Sequence, residues 1–199
     1  MSNDRVFALV LAAGLSRRLG RPKQLLQLGG KPLVCHVVEA ALAAPIDGVV
    51  VVIGSHASEV EQALLDYQTY RVFNPHFSKG QGNSLSAGVR AIPSTVDAIV
   101  VLLADMPGIR TEAIAAVVER WRQTRAPAVM ARYTDGDGHP VLFDHSAFTD
   151  LARLQGDSAG REVLRRLGDQ VERVDVPLPG PPLDVDTEED WERLQASWG

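Results

Sequence analysis

The densest group of chemistry-bearing side chains is the run Leu11-Ala12-Ala13-Gly14-Leu15-Ser16-Arg17-Arg18-Leu19-Gly20-Arg21-Pro22-Lys23. It follows Val6 to Leu11, a short and nearly continuous apolar run that reads as a strand buried on both faces. Small residues Ala12, Ala13 and Gly14 let a ligand approach the main chain closely. Arg17, Arg18, Arg21 and Lys23 then crowd one loop, an arrangement that repels itself unless an anion sits in it. Main-chain amides, guanidinium forks and an ammonium point charge are what a polyphosphate needs. Two familiar phosphate loops are excluded by spacing. A Walker A loop places four residues between its glycines and then Gly-Lys-Ser/Thr, whereas five residues separate Gly14 from Gly20 here. A dinucleotide fingerprint needs G-x-G-x-x-G and an acid after the second strand, but that strand ends in Ile53-Gly54-Ser55-His56. A solvated basic loop is the plain alternative; the order strand, small residues, cations favours phosphate binding.

The carboxylates that would face such a ligand lie far off in sequence. Asp105 follows the apolar run Val100-Val101-Leu102-Leu103 and precedes Met106-Pro107. A carboxylate ending a central strand does not serve packing, and a triphosphate nearby would require a divalent cation, for which oxygen ligands suit Mg²⁺. A helix cap or a surface acid is the other reading of Asp105. Asp184 and Asp186 are two apart on an extended segment and so point the same way; with Asp105 they would complete a Mg²⁺ site. Asp186-Thr187 reads equally as a helix cap, and Glu188, Glu189 and Asp190 suit the helix dipole.

Positioning these groups requires a sheet. Apolar runs at Val49 to Ile53, Tyr70 to Phe73 and Ala98 to Leu103 read as further strands. Leu33, Val34, Val37, Val38, Ala41 and Leu42 recur at helical spacing after Pro32, as do Val60, Ala63 and Leu64. Ile114, Val117, Val118 and Trp121 form another stripe, with Thr111 as its N-cap. Alternating strands and helices predict an α/β fold with a mostly parallel central sheet and helices on both faces. Ligands sit outside the carboxyl ends of such strands, so the loops after Leu11, Phe73 and Leu103 are the ones to read. Later, Val129 to Arg132 and Val141 to Phe143 read as strands around Asp135-Gly136-Asp137-Gly138, and helices are expected at Ala147 to Leu154 and Gly160 to Leu167. Val171 to Val176 reads as a strand, Pro177, Pro179, Pro181 and Pro182 as a stiff link, and Glu188 to Ser197 as a last helix. No repeat or linker divides the chain, so one domain over 1–199 is expected.

Composition narrows the class. The chain is 45% hydrophobic and 23% charged with net charge -5, too apolar for disorder and too acidic for a general nucleic-acid binder. No apolar run reaches the ~18 residues of a membrane span. The single cysteine, Cys35, sits in an apolar stripe and cannot form an internal disulfide, which suits a reducing compartment. Ser2-Asn3-Asp4 lacks the charged region of a signal peptide. A cytoplasmic protein is expected, binding neither membrane nor nucleic acid. His36, His56, His76 and His145 lack zinc spacing.

The first loop resembles LAAGxSxRMGxxK, the signature of the molybdenum cofactor cytidylyltransferase-like (MobA/MocA-like NTP transferase) family. Leu11 to Gly14, Ser16, Arg18, Gly20 and Lys23 match it, and Leu19 stands where the family usually has Met. Asp105 falls in an L-A-D-M-P motif whose Asp binds metal in that family. Asp184-Val185-Asp186-Thr187-Glu188-Glu189-Asp190 resembles D-x-D-T-P-E-D, with Glu188 replacing Pro. Asn74-Pro75 and Gly80 to Leu85 resemble a loop that closes over base and ribose, although Gln81 and Asn83 depart from it. Gly138-His139-Pro140 and Gly156-Asp157-Ser158-Ala159-Gly160-Arg161 resemble segments of the cytidylyl branch.

The resemblance implies a Rossmann-like three-layer α/β/α nucleotidyltransferase with its acceptor side over roughly 130–183. It implies transfer of CMP from CTP to the terminal phosphate of molybdopterin, with Mg²⁺ and release of pyrophosphate. Arg18, Lys23 and Asp105 would be catalytic, and Asp105 and Asp186 the metal ligands, with Asp184 second to Asp186. Leu11, Ala12, Ala13, Gly14, Ser16, Gly80 and Ser84 would join Arg18 and Lys23 at the nucleotide. His139 and Arg161 would face phosphate or pterin. A guanylyl or sugar-phosphate transferase is the alternative within the chemistry. A chaperone delivering cofactor to an apo molybdenum hydroxylase is the non-catalytic one. A nicotinamide oxidoreductase is disfavoured by the missing ribose acid.

Overall fold

The computed structural model describes residues 4–178 and 180–198. Met1, Ser2, Asn3, Pro179 and Gly199 lie outside the described residues, and with them part of the polar start and of the proline link. Strand β1 (Val6–Ala12) leads through the basic loop to a small ribbon of β2 (Gln27–Leu28) and β3 (Lys31–Pro32), then to helix α1 (Leu33–Leu42). Next come β4 (Gly48–Ile53), α2 (Ala57–Ala63), β5 (Tyr70–Phe73), α3 (Gln81–Ala91), β6 (Ala98–Leu103) and α4 (Thr111–Thr124). The last third holds β7 (Ala128–Tyr133), β8 (Gly136–Asp144), α5 (Phe148–Leu151), α6 (Ala159–Leu167), β9 (Val171–Asp175) and α7 (Glu188–Ser197).

Among the described residues, seven strands form the main sheet in the order β5-β4-β1-β6-β8-β7-β9. Only β8 runs against its neighbours; the pairings β1–β4, β1–β6, β4–β5 and β7–β9 are parallel. Leu11 stands opposite both Val52 and Leu103, so β1, β4 and β6 end level and their loops emerge together. Every residue of β1 is buried, which is why the strand reads as continuously apolar. Its Val6, Ala8 and Val10 pack with α1 and α4, while Phe7, Leu9 and Leu11 pack with α3, α5 and α6. The result is a three-layer α/β/α, Rossmann-like fold.

A third cluster fixes the C-terminus. Val185, Trp191 and Leu194 pack on Leu26, Leu28 and Leu33, so α7 is docked against the β2–β3 ribbon beside the basic loop. Thr187 caps α7: its side chain accepts from the Asp190 amide, and Asp190 returns the bond in a capping box.

The sequence reading needs correction at several elements. Gly80 to Leu85 is not a loop: Gly80 is the N-cap of α3, and Ser84 lies within that helix. Thr111 is the first residue of α4 rather than its cap, and its hydroxyl donates to the Ala40 carbonyl at 3.1 Å. Pro32 likewise precedes α1. The β8 strand extends back to Gly136, forming with β7 a hairpin with a register shift between Met130 and Ala131. The helix expected over 147–154 is the short α5 preceded by a 3-10 turn.

Candidate functional site

The carboxyl ends of β1 and β6, the start of α3 and the segment before α7 surround a cleft of about 630 Å³. The loop after β1 shapes one wall. Ser16 is held in the left-handed region at φ 51°, and its carbonyl accepts from Gly20, itself at φ 72°. The Ser16 hydroxyl accepts from the Lys23 amide at 3.0 Å. That serine therefore folds the loop back and fixes where Lys23 begins its 3-10 turn. A Cβ placed on Gly14 would meet nothing within 4 Å, so the main chain there faces open space.

Lys23 sits between two carboxylates. Its Nζ forms an ion pair with Asp105 and lies 2.7 Å from Asp186 Oδ1. Burial alone would lower the ammonium's pKa; the charge of Asp105 and hydrogen bonds to Asp105 and Asp186 outweigh it and hold the value above the ordinary one. Arg18 reaches the other oxygen of Asp186 at 3.0 Å while remaining mostly exposed. Arg21 turns to the rim and pairs with Glu188 at 2.5 Å. Arg17 lines the cleft.

The acidic side is built from backbone. The Val185 amide donates to the Asp105 carbonyl at 3.1 Å, tying the segment before α7 to the turn after β6. Val185 is fully buried in the third cluster, and Asp184 and Asp186 on either side of it both line the cleft. The Asp186 amide donates to Asp190 Oδ2 at 3.2 Å, so the capping box of α7 also holds Asp186. Among the described residues no three His, Cys, Asp or Glu side chains are grouped as a metal site. Two carboxylates nevertheless converge on one cation, the Lys23 ammonium. Such a pair fits Mg²⁺, which keeps several waters and takes its remaining ligands from phosphate.

Leu11, Ala12, Ala13, Gly14, Ser16, Arg18, Lys23, Gly80, Ser84, Asp105, Arg161, Asp184 and Asp186 all line this cleft. Ser84 is buried, and its hydroxyl accepts from Asn74 Nδ2 at 3.1 Å. His139 does not line the cleft. Its Nδ1 hydrogen-bonds the Val101 carbonyl at 3.2 Å behind the floor. Burial lowers its pKa, partly offset by that hydrogen bond and the charge of Asp105. Cleft-lining Gln24, Phe77 and Lys79 were not singled out by sequence, and Asp157 entered only as part of the Gly156-to-Arg161 segment. Gln24 is buried, bonding the Ser55 carbonyl and accepting from Ser16 Oγ, both at 3.4 Å. Its only sequence signal is adjacency to Lys23, as that of Lys79 is adjacency to Gly80.

The sequence matches the MobA-like NTP transferase domain over residues 8–171. It is 33% identical over 197 residues to nicotine blue oxidoreductase of Paenarthrobacter nicotinovorans, covering 95% of this chain and 96% of that one. It is 26% identical over 172 residues to a probable molybdenum cofactor guanylyltransferase of Pyrococcus horikoshii, covering 85% and 83%. Among solved structures, the homologue of Mycobacterium tuberculosis Rv0371c from Mycobacterium sp. strain JC1 superposes with a TM-score of 0.86 at 37% identity, covering 97% and 96% of the two chains. Rv0371c from M. tuberculosis H37Rv, in complex with manganese, gives 0.83 at 30% identity, covering 97% and 99%.

Proposed function

Because this chain belongs to the MobA-like NTP transferase family, we propose that it transfers CMP from CTP to the terminal phosphate of a molybdopterin-type acceptor and releases pyrophosphate. The observation that carries the reading is the convergence of Lys23 and Arg18 with Asp105 and Asp186 at the end of the parallel strands. A phosphate monoester is largely dianionic at neutral pH, since its second pKa is ~6. An acceptor oxygen attacks the α-phosphorus, the bond from that phosphorus to the bridging oxygen of the β-phosphate breaks, and pyrophosphate leaves with the electron pair. No proton need be removed from the nucleophile, so catalysis is positioning and charge neutralisation.

Arg18 and Lys23 hold the departing pyrophosphate. Main chain at Leu11, Ala12 and Ala13 reads the base edge, Gly14 and Ser16 shape the phosphate loop, and Gly80 and Ser84 border the ribose. Asp105 and Asp186 hold Mg²⁺, with Asp184 beside them; when bound, the metal supplies charge neutralisation at the phosphates. His139, Arg161 and the stretch from about 130 to 183 belong to the acceptor half of a single domain. Support for the metal comes from the manganese complex of Rv0371c, and for the acceptor from the Pyrococcus relative named above.

Pyrophosphate release is measured with molybdopterin and each of CTP, GTP, ATP and UTP in the presence of Mg²⁺. CTP should support turnover best. Preference for GTP would move the chain to guanylyl transfer, and turnover only with a sugar 1-phosphate would replace the acceptor. Binding of cofactor without pyrophosphate release would make it a carrier for an apo molybdenum hydroxylase. Turnover of nicotine blue without such release would align it with the Paenarthrobacter relative instead.

A further inference from the structure

Five cationic side chains line the cleft: Arg17, Arg18 and Lys23 from the loop after β1, Lys79 before α3 and Arg161 in α6. Lys23 and Arg18 are engaged with Asp105 and Asp186. Lys79 and Arg161 make no ion pair or side-chain hydrogen bond among the described residues, although both line the same cavity. Lys79 ends the 3-10 turn before α3, and Arg161 lies in the first turn of α6. These elements belong to the sheet face packed by Leu85 and Val163, opposite the face that carries α1 and α4.

Backbone contact fixes the two cations relative to each other. The Gly82 amide donates to the Gly156 carbonyl at 2.7 Å. A Cβ on Gly80 would come within 2.4 Å of the Gly156 backbone, and one on Gly82 within 2.8 Å of the Gly156 oxygen. A Cβ on Gly160 would lie 3.1 Å from Phe143. The Gly156 backbone and the Asp157 carboxylate, whose Oδ1 would lie 2.5 Å from the same Gly80 Cβ, close the space between the start of α3 and the segment before α6, so the residues flanking this seam are held near one another. Asp157 lines the cleft at the seam and pairs with neither cation.

We propose that Lys79 and Arg161 form an anion clamp for the phosphate of the acceptor, separate from the Arg18 and Lys23 group that takes the triphosphate. The inference rests on the nucleotidyl-transfer reading and adds to it which cations serve which phosphate. A guanidinium fork and an ammonium are a suitable pair for a phosphate dianion. Two separate cationic groups also offset the repulsion between an attacking phosphate and a triphosphate brought into one cleft.

Steady-state pyrophosphate release with CTP, Mg²⁺ and molybdopterin tests the clamp in the wild type, Lys79→Ala, Arg161→Ala and Arg161→Lys. Both positions are exposed, so thermal midpoints should stay at the wild-type value. Each alanine variant should raise KM for the acceptor about tenfold, with KM for CTP within roughly twofold. Arg161→Lys should recover part of the loss. A rise in KM for CTP instead, or no change in either KM, overturns the clamp while leaving transfer intact. No pyrophosphate from the wild type with any nucleotide overturns the transfer reading. Equilibrium binding of molybdopterin to the same four proteins then decides the clamp alone. Weaker binding by both alanine variants sustains it; equal binding, or none by the wild type, ends it.

Discussion

Lys23 is the only side chain among the described residues that touches both Asp105 and Asp186, and its removal leaves two carboxylates facing each other without that counter-charge. Lys23→Ala should therefore lower turnover on the order of 10²-fold or more, the usual loss when one transition-state charge is deleted. Near-normal turnover in the pyrophosphate assay would reject its role. Lys23→Arg should not rescue fully, because a planar fork cannot take the place of a point charge between two carboxylates. His139 makes a second prediction. Burial holds its ring pKa below the ordinary value, so the unfolded chain binds a proton that the folded one resists. The stability from this neutral ring is present above the unfolded value, about 6.5, and is lost as pH falls through the depressed folded value. Urea unfolding at about pH 7.5 and pH 5 should show a larger acid loss for the wild type than for His139→Gln, whose amide can still donate to the Val101 carbonyl. Equal losses would assign the acid sensitivity elsewhere. At this scale the sequence shows charge and spacing but not partners. Arg18, Lys23, Asp105 and Asp186 were legible because several cations and a strand-end acid are costly without a ligand. Gln24 was not, because a buried amide satisfied by Ser55 and Ser16 has no pattern along the chain.

Elements differ in legibility for a physical reason. β1, β4 and β6 are buried on both faces and read as apolar runs, and α4 shows its stripe because Ile114, Val117, Val118 and Trp121 are fully buried. α3 escaped notice because the face it buries carries Gly82, Ser84, Ser86 and Gly88 beside only two larger apolar groups, Leu85 and Val89. It needs small residues to lie close: a Cβ on Gly88 would come within 2.6 Å of Leu9 and 2.8 Å of Val52. Gly88→Ala should cost about 1–3 kcal/mol by overpacking, read by denaturant unfolding. Since Gly88 packs on the sheet away from the cleft, KM for nucleotide should stay put in the surviving folded enzyme. The Asp186-Thr187 ambiguity resolves by division of labour: Thr187 caps α7 while Asp186 faces the cleft. Thr187→Ala should lose ~1 kcal/mol of stability. It should also lower turnover, because Asp190, which holds the Asp186 amide, loses its hydroxyl partner. Loss of stability with wild-type turnover would show that Val185 alone positions Asp186.

Charge is unevenly distributed over the whole molecule. The chain carries net -5, yet Arg17, Arg18, Lys23, Lys79 and Arg161 meet only Asp105, Asp157, Asp184 and Asp186 at the cleft. The field at the site is therefore more positive than the chain's total charge implies, and an anionic nucleotide is drawn to one end of an otherwise acidic body. Part of that attraction acts over several ångströms and is screened by salt, whose Debye length falls from about 10 Å at 0.1 M to about 3 Å at 1 M. The Lys23–Asp105 pair is in contact and largely shielded from solvent, so it is screened far less. These two contributions separate in one measurement. A ligand at 100 times its Kd stabilises the folded state by about 2.7 kcal/mol, which for a domain of this size is roughly 5–10 °C in thermal midpoint. Thermal unfolding with a fixed concentration of CTP and Mg²⁺ should show such an increment at about 0.05 M salt and a clearly smaller one at about 0.5 M. The midpoint without nucleotide should move much less. An increment that is the same at both salts would mean that short-range contact alone holds the nucleotide and that the clustering of charge at the sheet's edge has no part in capturing it.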